Sequence, residues 1–241
     1  MPAAEHFASS GAYLCGEGGV LMRRGALFCT AMAFAVLLAL TARAHARTPE
    51  QVIVVDVQRM SLTLYEDRQE IARYPVAAGT SETPSPLGVF HIVRRFRPES
   101  GGFGTCFLGL DVPWGEYGIH GTNRPASIGS LASHGCIRMY NRDAEALYAR
   151  VRNGATVIIE GGPYGELGDG LRTLRPGDRC SHVRAVQRRL RALGWYAGEP
   201  DGIYGAATSE AVLRFRESAQ LGREDVVDGP VYAALGLMLF E

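Results

Sequence analysis

A histidine followed by glycine ends the stretch Tyr117-Gly118-Ile119-His120-Gly121-Thr122, and sixteen residues beyond His120 lies a cysteine within Ser133-His134-Gly135-Cys136-Ile137-Arg138. A thiol attacks as its thiolate, so a nucleophilic cysteine needs a base or a positive neighbour. It also needs backbone N–H groups free to face a developing oxyanion, which a glycine beside the nucleophile permits. Gly135 precedes Cys136, and two histidines are at hand. Three chemistries fit these residue types. Cys136 with His120 as base would transfer acyl groups. His120, His134 and Cys136 could instead hold zinc, which takes mixed Cys and His ligands. The third reading is a small buried cysteine beside two structural histidines.

The elements that must position these residues are mostly strands. Val52 to Val57 is a β-branched run, and Ser61 to Tyr65 alternates polar and apolar. Further strands are predicted at Ile71 to Ala77, Val89 to Val93, Phe107 to Leu110, Tyr117 to His120 and Thr156 to Ile159. One helix is predicted from Arg142 to about Arg152, with Asn141 as N-cap and Asp143 and Glu145 in its first turn. It begins too late for its dipole to be assigned to the sulfur. The expectation is a β-rich catalytic domain, a mixed β-sheet sandwich with one or two helices, over residues 47–160.

Residues 161–170 hold five glycines in ten and read as a linker without regular structure. Beyond it the period changes to that of helices. Val183, Val186, Leu190 and Leu193 mark one helical face that Gly194 ends. Thr208 is read as the cap of a second helix bearing Val212 and Phe215, and Asp228-Gly229-Pro230 opens a third. Residues 171–241 are therefore expected to form a small three-helix, all-α C-terminal module.

Composition excludes several functions. The 241 residues carry 25 cationic side chains, every one arginine, against 25 acidic ones. Without lysine there is no Schiff base, no pyridoxal-phosphate attachment and no P-loop or kinase lysine. A net charge of zero argues against a nucleic-acid partner. The chain is 46% hydrophobic and 21% charged, which suits a globular protein.

Arg23 and Arg24 precede an apolar run from about Ala26 to Leu40, and Ala44-His45-Ala46 follows. A basic start, a short apolar stretch and an A-x-A site form a secretory signal at residues 22–46. Residues 1–21 fit no part of it, and Met22 is the expected start. The mature chain would begin near Arg47, outside the cytoplasm, with no membrane partner once the signal is cut. It is expected to be a monomer.

His120-Gly121-Thr122-Asn123 and Ser133-His134-Gly135-Cys136-Ile137-Arg138-Met139 together resemble the signature of L,D-transpeptidases of the YkuD type. Thr83-Pro84-Ser85-Pro86-Leu87-Gly88 is similar to that family's T-P-x-P-x-G segment. The resemblance spans about residues 51–160. The segment from Leu174-Arg175-Pro176-Gly177-Asp178 through Asp201-Gly202-Ile203-Tyr204-Gly205 to Asp228-Gly229-Pro230 resembles the peptidoglycan-binding domain often fused to such enzymes. It departs from that pattern at Cys180, where glycine is usual, and at Phe215-Arg216, where Phe-Gln is common.

The resemblance implies that Cys136 attacks a peptidoglycan stem peptide, with His120 as base and then acid. The carbonyl of Gly121 would orient the imidazole, and backbone N–H groups around His134, Gly135 and Cys136 would form the oxyanion hole. Arg138 would meet a substrate carboxylate or serve as a scaffold, and Ser133 and His134 would shape the loop. No cofactor and no metal are implied, and the partners are the stem peptides and glycan of peptidoglycan. Water in place of the acceptor amine would make the enzyme an L,D-carboxypeptidase or endopeptidase. A non-catalytic wall-binding scaffold is the alternative from another class. Trp114 and Tyr117 could line the cleft or pack the core, and Arg94, Arg95 and Arg97 form a surface cluster. Cys106 and Cys180 could pair across the two segments or both stay free.

Overall fold

The computed structural model describes residues 48–99 and 101–237. The expected extension at 1–21 and signal at 22–46 lie outside the described residues. Nine strands are present among them: β1 (Gln51–Asp56), β2 (Ser61–Glu66), β3 (Gln69–Gly79), β4 (Gly88–Phe96), β5 (Phe107–Leu110), β6 (Gly118–His120), β7 (Leu131–Ser133), β8 (Ile137–Met139) and β9 (Thr156–Glu160). The α-helices are α1 (Asn141–Arg150), α2 (Ser181–Ala192), α3 (Ala206–Ser218) and α4 (Gly229–Ala234).

In β1 the residues alternate as a half-buried strand should: Ile53 and Val55 are fully buried and Val52 and Val54 only partly. The sheet order is β2-β1-β9-β4-β5-β6-β8-β3-β7, and β2 also pairs with β3. That second pairing closes a ring. Strand β3 spans eleven residues, enough to pair with β2 over Gln69–Pro75 and with β8 through Val76 and Ala77. The sheet is mixed: β1–β9, β6–β8 and β3–β7 are parallel and the other pairs antiparallel. Ile53, Leu64, Phe90, Leu108, Ile119, Ile137, Met139 and Leu147 fill the core. This is a β-rich barrel or sandwich, as expected.

Strands β7 and β8 were not predicted. Each has three residues, too few to show a period. The first helix starts one residue earlier than expected, and Asn141 is its first residue; the cap position belongs to Tyr140, and no side chain caps it. The Asn141 side chain turns inward, and its Oδ1 is buried without a hydrogen-bond partner.

The C-terminal region carries helices α2 to α4 around Val183, Val186, Leu190, Val212, Tyr232 and Leu235. Leu193 is 42% exposed and does not join that face. Gly205, not Thr208, caps α3. Thr208 is buried, and its hydroxyl accepts from Gln187 Nε2 at 2.9 Å. Asp228 does cap α4, accepting from the Val231 N–H. Two isolated antiparallel bridges, Leu174 with Val227 and Arg179 with Ile203, tie the loops together.

Residues 161–170 are not the unstructured linker expected. Gly165–Leu167 forms a 3₁₀ turn, and Leu167 is buried. The glycines serve close approach: a Cβ on Gly162 would lie 2.4 Å from Gly168 O, and one on Gly161 2.9 Å from Leu87 Cδ2. The described residues from Pro49 onward form one compact unit, and its two lobes are joined by specific contacts. The Leu87 N–H donates to Ser181 Oγ at 2.7 Å, and Arg184 donates to Leu87 O at 3.2 Å. Arg184 also pairs with Glu166 at 2.6 Å, with side chains 6% and 13% exposed. Its guanidinium lies 4.8 Å from the Phe90 ring centroid and 4.9 Å from that of Trp114. Burying an ion pair costs desolvation that good geometry and extra hydrogen bonds must repay; here the Glu166 and Leu87 contacts repay part of it, while Arg184 Nε is buried without a hydrogen-bond partner.

Cys106 and Cys180 are free thiols, so no disulfide clamps the lobes. Cys106 sits in the barrel core, whereas Cys180 packs against the helical core. Ionic and hydrogen-bonded contacts supply the clamp instead.

Candidate active site

Strand β6 ends at His120, and β8 begins one residue after Cys136. These strands pair in parallel, with Ile119 opposite Ile137 and His120 opposite Arg138. The pairing thereby sets the strand that ends at His120 beside the strand that follows Cys136, and the Gly118 backbone lies against the Cys136 sulfur.

His120 is buried at 3% exposure. Its Nδ1 lies 2.5 Å from the carbonyl oxygen of Gly121. A carbonyl only accepts, so Nδ1 carries the proton and Nε2 of the neutral ring keeps its lone pair. The Phe107 ring stacks on the imidazole at 5.7 Å and 13°, and Phe103 meets it edge-on at 5.0 Å and 89°. Burial holds the imidazole below its ordinary basicity; the Gly121 hydrogen bond opposes this, and the Arg138 charge adds to it. A Cβ on Gly121 would lie 2.2 Å from Asn141 Oδ1, so a side chain there would have to displace the Asn141 amide.

Cys136 is half-buried. Burial pushes its thiol up, while the Gly118 backbone and the Arg138 charge pull it down. Both directions favour the uncharged forms of the thiol and of the imidazole.

The loop that presents the sulfur is held by Ser133, which is 1% exposed. Its hydroxyl donates to Cys136 O at 2.6 Å and accepts from the Gly135 N–H at 3.0 Å. The Ser133 carbonyl accepts from Thr80 N at 3.1 Å and from Thr83 Oγ1 at 3.2 Å. Gly135 has φ +105°, and a Cβ on it would lie 2.6 Å from Tyr117 Cε1. The loop therefore rests against Tyr117 and the Thr83–Gly88 segment, and a glycine is required.

The other expected residues fall out differently. His134 is exposed. Arg138 donates to Ala132 O at 2.9 Å, so its guanidinium braces the loop while its charge reaches both His120 and Cys136. Trp114 is buried in the barrel core and Tyr117 packs against that core, and both rings border one cleft. Arg95 and Arg97 lie over the Tyr148 ring at 4.4 and 5.0 Å, and Arg97 pairs with Glu145 at 2.6 Å. These two are engaged by α1. No group of three or more His, Cys, Asp or Glu side chains among the described residues is arranged to hold a metal ion.

Sequence reasoning missed Phe103, Phe107 and Asn141 around the imidazole. The phenylalanines read as strand and loop apolar residues, and Asn141 as a helix cap. Only their tertiary placement shows what they touch.

Two families match the chain. One, described as "L,D-transpeptidase catalytic domain" (YkuD), matches residues 50–159. The other, described as "Putative peptidoglycan binding domain", matches residues 181–235. The chain is 43% identical over 116 residues to "Putative L,D-transpeptidase YkuD" of Bacillus licheniformis, covering 47% of this chain and 69% of that protein. It is 44% identical over 107 residues to "Putative L,D-transpeptidase YkuD" of Bacillus subtilis, covering 44% of this chain and 64% of that one. A solved structure, "L,D-transpeptidase from Mycobacterium smegmatis", aligns at 22% identity with a TM-score of 0.41, covering 47% of this chain and 59% of that one.

Proposed function

The chain belongs to the YkuD L,D-transpeptidase family, and from that premise we propose that it is an exported cysteine transpeptidase acting on peptidoglycan stem peptides. The observation that carries the reading is the imidazole of His120. Its Nδ1–H is committed to Gly121 O, its Nε2 is left basic, and its strand runs beside the one that follows Cys136.

In the proposed reaction, Nε2 of His120 takes the Cys136 proton as the sulfur attacks the carbonyl between the third-position diamino acid and the terminal D-alanine. The carbonyl electrons move onto oxygen. In this loop the Gly135 N–H is already bound to Ser133 Oγ, which makes the N–H groups of His134 and Cys136 the oxyanion donors. Collapse breaks the C–N bond, and the imidazolium returns its proton to the leaving D-alanine amine. A thioester on Cys136 remains. An acceptor amine then attacks it, His120 takes the amine proton, and the thiol is regenerated. Arg138 favours each anionic stage through its charge. No side-chain amine on the enzyme competes as acceptor, because the chain has no lysine.

Residues 47–160 are read as the catalytic domain and 171–241 as a three-helix wall-binding module, with export to the periplasm or the extracellular wall. No helix among the described residues is long and apolar enough to cross a membrane. Intact-mass analysis with a stem tetrapeptide tests the reaction: a thioester adduct on the wild type, absent in Cys136→Ala, is expected. Cross-linking by the Cys136→Ala chain overturns it. Muropeptide products separate transfer to an amine, which makes dimers, from transfer to water, which makes trimmed monomers.

A further inference from the structure

A cleft of about 840 Å³ runs between the barrel and the helical lobe. One wall is the Thr80–Leu87 segment, and the other is formed by Asp169–Leu174 and Asp178–His182. Neither Cys136 nor His120 lines it. Its corner is Tyr117, the ring against which Gly135 packs, so it ends beside the loop that carries the thiol.

This cleft is built rather than left between loosely tethered bodies. Ser181 Oγ and Arg184 hold the two backbone groups of Leu87 at one end of the barrel wall. Ser133 O holds Thr80 and Thr83 at the other. Gly202 seats on Trp114, where a Cβ would come within 2.4 Å of Cε3.

Its charges are unspent. Arg172 and Arg179 are exposed on the helical wall, and neither side chain makes an ion pair or hydrogen bond among the described residues. Glu82 on the barrel wall is likewise exposed and unpaired. Asp169 also lines the cleft, while Asp178 is turned onto the Arg175 N–H at 2.8 Å. Guanidinium groups recognise carboxylates through paired hydrogen bonds, and a carboxylate such as Glu82 suits an amine.

We propose that this cleft is a second substrate subsite, which takes a peptide bearing free carboxylates and a free amine, and that Arg172 and Arg179 of the C-terminal lobe receive its carboxylates. The inference rests on the reading of the chain as a stem-peptide transpeptidase and names where the peptide extends away from Cys136. The C-terminal lobe then contributes directly to substrate recognition, beyond any hold on the wall.

The test uses the full chain carrying Cys136→Ala, so that binding is read without turnover. Calorimetry with a free-carboxylate stem tetrapeptide should show Kd raised about tenfold or more in Arg172→Ala/Arg179→Ala. Arg223→Ala, a surface arginine outside the cleft, should leave Kd unchanged. Amidating the peptide carboxylates should weaken binding to the Cys136→Ala parent and have little effect on the double variant. A double variant that binds as tightly as its parent overturns the subsite, as does a parent that binds no peptide. Failure of Cys136 in the unmodified chain to acquire a thioester would instead remove the transpeptidase reading, whatever the calorimetry shows.

Discussion

Ser133 and Cys136 are joined by a 2.6 Å hydrogen bond in which the serine hydroxyl donates to the cysteine's own carbonyl oxygen. The same hydroxyl accepts from the Gly135 N–H, so one oxygen holds both sides of the turn that presents the thiol. Ser133→Ala would strand a buried acceptor and donor, each at a cost of about 1–3 kcal/mol. Thioester formation by the Ser133→Ala chain should fall more than about tenfold, with partial recovery in Ser133→Thr. Unchanged single-turnover acylation in the alanine variant would refute this.

Gly135→Ala places a Cβ at φ +105°, 2.6 Å from Tyr117 Cε1 and 3.2 Å from Pro84 O. The backbone penalty alone is about 1–2 kcal/mol. Acylation should drop sharply while the melting temperature falls by only a few degrees, because the strain sits in one loop. Tyr117→Ala in the same chain removes the clash but not the φ strain, and should restore activity only in part.

The pH dependence follows from burial. His120 and His182 both titrate below their ordinary 6.5, chiefly because burial disfavours the charged ring. Below pH 6.5 the unfolded chain gains protons at these sites before the folded chain does. Stability is therefore complete above that pH and declines as pH falls through the lowered folded values. Denaturant midpoints from pH 7.5 to 5 should decrease, and less so in His182→Gln. The acid limb of kcat/KM for acylation should likewise lie below pH 6.5 if His120 is the base proposed above, since burial keeps its ring neutral to lower pH.

Glu166→Ala leaves Arg184 charged in a site where its side chain is 6% exposed. Breaking such a pair costs about 3–5 kcal/mol. Glu166→Ala/Arg184→Met should be more stable than Glu166→Ala alone, because the methionine keeps the contact with Phe90 and Trp114 without a buried charge. Urea unfolding of both variants checks the order.

Much of the architecture was legible from local pattern. The strands around Val52–Val57 and Ser61–Tyr65 showed their alternation, and Val183, Val186 and Leu190 their helical period. Where local signals misled, a long-range contact had taken over the residue. Thr208 carries capping chemistry, yet its hydroxyl serves the buried Gln187 amide. Arg216 stands where the resembled pattern commonly has glutamine, and it is 3% exposed and donates to Val226 O, Leu221 O and Asp228. The glycines of 161–170 suggest freedom, but Gly161 and Gly162 are there because other atoms occupy the space a Cβ would need.

The sequence by itself determined which residues are candidates for chemistry and in what order: a histidine with glycine after it, and a cysteine with glycine before it. Residue type sets proton affinity, nucleophilicity and the backbone angles a loop can adopt, and these are properties of single residues. Only the tertiary structure decided that the strand ending at His120 runs beside the one that begins just after Cys136, that Ser133 ties the loop, and that Arg184 locks the lobes into a charged cleft. Parallel pairing of β6 with β8 has no local period, because each strand is three residues long. It exists because β3 is long enough to close the sheet, holding β8 on one side and β2 on the other.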